Sequence, residues 1–181
     1  HAASLGINVG NATNGWEWGP EKSEQVLPHM SWIRFTVAAG TPERYAEIMY
    51  KGPEHTEVFD KAMKNIRHAV AYKKKHNLSV TLGIQMVLMP EYADQVILLS
   101  KLGRDLGVDY TVIKHCSDDE NGRLGVDYDW YKSQSAIELL KTAEALSTSD
   151  YSVQAKWSKL MTGRDRKYSK CFGTPLLLQM S

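Results

Sequence analysis

Residues 79–88, Ser-Val-Thr-Leu-Gly-Ile-Gln-Met-Val-Leu, constrain the fold more than any other segment. The run holds no charge and splits cleanly with period two. Val80, Leu82, Ile84, Met86 and Leu88 share one face, and Thr81, Gly83, Gln85 and Val87 share the other. A strand of this kind needs cover on its greasy face, while its second face carries polar groups at intervals. Residues 32–37 repeat the pattern, with Ile33, Phe35 and Val37 alternating with Arg34 and Thr36. Strands are also expected at residues 5–12, 109–114 and 151–157. Between them lie helical stretches, the clearest at residues 57–76, where Phe59, Met63, Ile66 and Val70 keep helical spacing. Further helices are expected at residues 21–30, 42–50, 90–107 and 133–146. Alternating strand and helix argues for a parallel sheet covered by helices, with right-handed crossovers. Four or five such units suit either a barrel segment or a doubly wound sheet. Two-faced strands favour the first: an α/β partial (β/α) barrel, parallel strands inside and helices outside.

Composition narrows the function classes. With 22 Lys+Arg against 21 Asp+Glu the formal charge is +1, which gives no footprint for nucleic acid. No stretch reaches the roughly 18–20 apolar residues that a membrane-spanning helix needs. Two cysteines, Cys116 and Cys171, are too few for a disulfide framework, so a cytoplasmic setting with free thiols is expected. The opening at His1, without an initiator methionine or a leader, reads as a piece of a longer chain.

Several motifs in order carry a family resemblance. Thr13-Asn14-Gly15 resembles the "TNG" that closes the third strand of radical S-adenosylmethionine (SAM) enzymes. Residues 27–45, through Arg34-Phe35-Thr36-Val37-Ala38-Ala39-Gly40-Thr41-Pro42-Glu43, resemble their fourth-strand region. Residues 59–76, 80–88 and 106–114 fit the following helix and two strands. Arg166 to Gly173, around Cys171, is similar to the first-cysteine region of a SPASM-like C-terminal extension, which divides the chain into a barrel over residues 1–161 and an extension over 162–181. The resemblance implies a TIM-like fold and an iron–sulfur enzyme. A [4Fe-4S] cluster would cleave SAM to a 5′-deoxyadenosyl radical, which abstracts hydrogen from a small-molecule or peptide substrate. The C-x-x-x-C-x-x-C signature is absent and Ala38 stands where the family has Asp, so neither cofactor is expected on this chain alone.

Candidate site residues follow from strand parity and from the resemblance. Arg34 and Thr36 should point into the cavity. Arg34 offers a two-pronged donor for a carboxylate, and the resemblance puts Thr36 at the SAM ribose. Gln85 shares that face as an adenine or substrate contact. Asn14 is either a ligand contact or a plain turn residue. Lys114 and His115 end a strand on the side where barrel enzymes place chemistry, as substrate contacts. His115 beside Cys116 invites a metal or Cys–His reading, but no third partner has suitable spacing. The resemblance makes Cys171 a metal ligand. The acidic loop Ser117 to Gly122 lacks an EF-hand's ligand alternation and is expected to be solvated. Asp127, Tyr128, Trp130 and Tyr131 could cover the barrel mouth. Two other readings remain open: a barrel enzyme using Lys114 as a general-base or Schiff-base lysine, and a cluster-free binding module. Open edge strands also leave room for self-association.

Overall fold

Five strands run parallel, in the order in which they occur along the chain: β1 (Gly10–Thr13), β2 (Trp32–Thr36), β3 (Thr81–Leu88), β4 (Tyr110–His115) and β5 (Ser152–Ala155). The computed structural model describes residues 2–52, 54–119 and 121–163. Between the strands lie α1 (Pro20–Val26), α2 (Pro42–Tyr50), α3 (Thr56–Lys75), α4 (Gln95–Leu106) and α5 (Gln134–Glu144), and α6 (Trp157–Thr162) follows β5. A strictly sequential parallel order with a helical crossover at every step is the architecture of a partial (β/α) barrel. No helix among the described residues is long and apolar enough to cross a membrane.

The two-faced strands sort as their sequence requires. Ile33 and Phe35 of β2, Leu82, Ile84, Met86 and Leu88 of β3, and Ile113 of β4 are fully buried. They form one cluster with Ala62, Met63 and Ile66 of α3, Val96 and Leu99 of α4 and Leu140 of α5. Full burial of each large side chain contributes roughly 1.5–3 kcal/mol, so this helix-side layer holds the fold. α3 packs against α1, α2 and α4, and α4 packs against α5, which places these helices in one layer. The opposite face, the inner one, is only half covered: Trp32, Arg34, Thr36, Val87, Tyr110 and Lys114 all keep some exposure.

Polar clamps fix the layers to one another. Both Asp109 carboxylate oxygens lie 2.6 Å from Lys73 Nζ at the end of α3, and one accepts from the Leu82 backbone N–H at 2.6 Å. A single side chain thus ties a helix terminus to the starts of β3 and β4. Asp109→Ala leaves the Leu82 N–H without that acceptor and Lys73 without its partner. The carboxylate is partly solvated, which limits the cost to about 1–2 kcal/mol. The urea midpoint should fall with an unchanged slope; an unchanged midpoint would show that the clamp carries no net stability.

Other anchors act in the same way. The Tyr151 hydroxyl donates to the Ser100 carbonyl at 2.6 Å and meets the Thr111 hydroxyl at 2.8 Å, pinning β5 and β4 to α4. Buried Asn65 of α3 donates to the Gly15 and Trp16 carbonyls at 2.9 and 3.0 Å and holds the turn after β1.

Some boundaries differ from expectation. Strand β1 starts at Gly10 rather than residue 5, because β2 begins at Trp32 and pairs only from Gly10 onward. Leu5 and Ile7 stay 62% and 57% exposed. Helix α1 stops at Val26, where Pro28 imposes the 3₁₀ turn Leu27–His29. The expected helix at residues 90–107 begins as a 3₁₀ turn, Pro90–Tyr92, and becomes α-helical from Gln95; Gly107 closes it in the left-handed conformation. The short helix α6 was not anticipated. Residues 164–181, which include Cys171 and most of the expected C-terminal extension, lie outside the described residues.

Candidate active site on the inner face

Register between strands sets the inner face in rows. Trp32 aligns with Gly10 and Thr81. Arg34 aligns with Ala12 and, on its other side, with Gly83, Tyr110 and Ser152 in turn. The next row is Thr36, Gln85, Val112 and Gln154, and above it Val87 pairs with Lys114 at the C-terminal ends of the strands. Four of the residues expected in the cavity, Arg34, Thr36, Gln85 and Lys114, therefore share one face.

Two glycines shape the floor. A Cβ on Gly10 would run into the Trp32 indole, and one on Gly83 into the Tyr110 ring. Both aromatic side chains thus cover a glycine of the neighbouring strand, in rows at or next to that of Arg34. The Arg34 guanidinium stands 5.3 Å from the Trp32 ring centroid, a cation–π distance. Burial raises the Tyr110 hydroxyl above its ordinary pKa, and neighbouring Arg34 opposes that rise. The Arg34 Nε is buried and has no hydrogen-bond partner among the described residues.

Lys114 stands at the mouth. Burial lowers its pKa first, and the positive charges of Arg34 and Lys159 lower it further, with Cys116 acting the other way. Burial raises the Cys116 thiol, Asp118 adds to that rise and Lys114 opposes it. These surroundings disfavour the Cys116 thiolate and favour the neutral Lys114 amine. Lys159 comes from α6, which Glu144 fixes by accepting from Trp157 Nε1 at 3.1 Å and from the Ala155 N–H at 2.9 Å.

Other candidates sit elsewhere. Strand parity puts His115 on the helix side, where it is 5% exposed. Its Nδ1 lies 2.6 Å from the Cys116 carbonyl and its ring meets Tyr128 edge-on. The Asn14 side chain accepts from the Trp16 N–H at 3.1 Å, closing the turn after β1. In the loop after β4 the Asp118 carboxylate accepts from the N–H groups of Asp119, Leu124 and Val126, and Asp119 from those of Asn121 and Arg123. These carboxylates organise backbone, and among the described residues no group of three His, Cys, Asp or Glu is placed to hold a metal. Buried Tyr131 seats the loop, donating to the Leu88 carbonyl at 2.5 Å and accepting from the Cys116 N–H at 3.4 Å. With its hydroxyl shut away from water, the Tyr131 pKa is pushed up to about 12.

No family model and no curated protein matches the chain. Among solved structures it is similar to oxaloacetate acetylhydrolase in complex with the inhibitor 3,3-difluorooxalacetate, at 12% identity and a TM-score of 0.42, over 82% of this chain and 53% of that one. A second structure of oxaloacetate acetylhydrolase gives 13% identity and a TM-score of 0.41, over 82% and 52% of the two chains. This chain spans about half the length of those structures.

The radical SAM expectation is thereby corrected. No family model matches, a radical SAM one included, and the two solved structures named above are of oxaloacetate acetylhydrolase. The iron–sulfur and SPASM-like readings that came with it are withdrawn as well. Its motifs have plainer causes. Thr13-Asn14-Gly15 is a turn made by two side-chain caps and a left-handed glycine at φ +81°, packed near Phe35 and Ala62. Ala39-Gly40-Thr41-Pro42 is the start of α2, with Pro42 in its first turn and Gly40 lying under α4.

Trp32, Tyr110 and Lys159 were missed as site residues. Tyr110 was readable in principle, since it shares parity with Lys114. Trp32 over Gly10 and Tyr110 over Gly83 needed the register between strands, and Lys159 needed α6.

Proposed function

We propose that the chain carries the site of a (β/α)-barrel enzyme that acts on a small carbonyl compound through Lys114, as a Schiff-base or general-base lysine. The observation that supports this is the position of Lys114. It lies on the inner face at the C-terminal end of β4, where burial and two neighbouring cations disfavour its ammonium form. An imine forms when the neutral amine adds to the carbonyl carbon and the carbinolamine loses water.

Sodium borohydride in the presence of a small ketone tests the reading. Hydride delivered to the imine carbon leaves a stable secondary amine on Lys114, which peptide mass spectrometry locates. Only the neutral amine adds, so the labelling rate should rise with pH and level off. Because the Lys114 pKa is lowered, the inflection should fall below the roughly 10.4 of an ordinary lysine. A rate still climbing in proportion to hydroxide at that pH would place the reaction on unperturbed surface amines.

The proposed setting is cytoplasmic, supported by the free Cys116 thiol. Strands β1 and β5 each pair on one side only among the described residues, which supports self-association through those edges as part of the same proposal.

A further inference from the structure

Across the whole chain, acids and bases nearly balance, 21 against 22. On the inner face they do not. The inner-facing positions of the five strands hold two ionisable cations, Arg34 and Lys114, and no carboxylate. Lys159 adds a third positive charge from α6. None of the three takes part in an ion pair among the described residues. A half-buried guanidinium with an unpartnered Nε is costly to hold unless an anion completes it.

We infer that this face binds an organic carboxylate: the carboxylate seats on Arg34, and the carbonyl that reacts with Lys114 belongs to the same molecule, an oxo acid. The inference rests on the proposed role of Lys114 for its second half only. The Trp32 indole beneath the guanidinium and the Tyr110 ring beside it hold the fork in place before the ligand arrives, which cuts the entropy lost on binding. Thr36 and Gln85 occupy the row between Arg34 and Lys114 and face the middle of such a ligand. A planar two-oxygen anion matches a single guanidinium fork. Phosphate is more often cradled by backbone N–H groups at helix N-termini or in nests, and β2, β3 and β4, which carry this face, are paired on both sides and spend their N–H groups on the sheet.

The test compares matched probes on the whole chain: 4-oxopentanoate against 2-pentanone, and pyruvate against acetone. The concentration giving half-maximal borohydride labelling of Lys114 should be at least ten-fold lower for the acids than for the ketones. Arg34→Met should erase that difference, and Arg34→Lys, which keeps the charge and loses the fork, should restore part of it. Binding of 4-oxopentanoate to the Lys114→Met chain, measured by calorimetry, gives a readout free of imine chemistry. If no probe labels Lys114 but calorimetry shows Arg34-dependent binding, the lysine chemistry is wrong and the carboxylate site stands. If acids and ketones label equally, or the preference survives Arg34→Met, or calorimetry shows no binding, the carboxylate site is overturned.

Discussion

Lys114→Met should abolish borohydride-dependent labelling at residue 114 and lower carbonyl turnover at least about 10²-fold, the lower end of what a positioned proton-transfer group supplies. Methionine keeps most of the side-chain volume, so the half-buried position stays filled and the fold should survive. Lys114→Arg separates charge from chemistry, since a guanidinium remains protonated and forms no imine under these conditions. It should therefore be as inactive as the methionine variant. The measurement is a digest read by mass spectrometry, with exposed lysines such as Lys61 as internal controls. Lys61 sits 3.7 Å from the Trp16 ring centroid and bridges to Glu17 on the exposed surface, away from the inner face. Equal labelling at Lys61 and Lys114, or labelling unchanged in Lys114→Met, would remove the lysine mechanism.

Gly40→Ala should be among the most damaging single-methyl additions in the chain, costing about 3 kcal/mol, the upper part of the usual range for overpacking. A Cβ at Gly40 would lie 2.5 Å from the Leu98 carbonyl carbon and 2.5 Å from the Leu99 nitrogen. Both are backbone atoms inside α4, so no side chain can rotate aside. Relief requires α4 to lift away from the β2–α2 connection. That movement would also stretch the bond from the Gly40 N–H to the Gln95 side-chain oxygen, now 3.1 Å. Urea denaturation should show the midpoint falling at constant slope. A loss below about 0.5 kcal/mol, the scale of ordinary surface substitutions, would mean that α4 is not seated as described.

Much of this architecture was legible because period-two strands and period-3.6 helices leave unambiguous marks. Residues 79–88 named both of their faces correctly, and α2 runs over the span expected of it. The failures share a cause: they depend on what a segment meets in space. Leu5 and Ile7 are as apolar as strand residues elsewhere, yet no strand among the described residues pairs with them. Residues 157–162 are too few to display a helical period.

Parity brought Arg34, Thr36, Gln85 and Lys114 to one face, and the same parity turns His115, one residue on, to the other. Asn14 keeps the turn role that its residue type favours. Aromatic rings lying over glycines two strands apart leave no trace in a single sequence. The family resemblance misled for a related reason. A turn needs an Asx cap and a left-handed glycine, and a helix start welcomes Thr-Pro-Glu, so unrelated βα units arrive at the same short words.

The strictly sequential strand order also bears on how the chain reaches this state. Among the described residues every strand pairs only with its neighbours in sequence, so none of these sheet contacts waits for distant parts of the chain to meet. Loop-closure entropy is met in similar, modest instalments. The sheet can grow outward from β3, whose pairings with β2 and β4 are the longest in register. Amide protection should decay from that centre toward β1 and β5, as it does in arrays where each unit leans only on its neighbours.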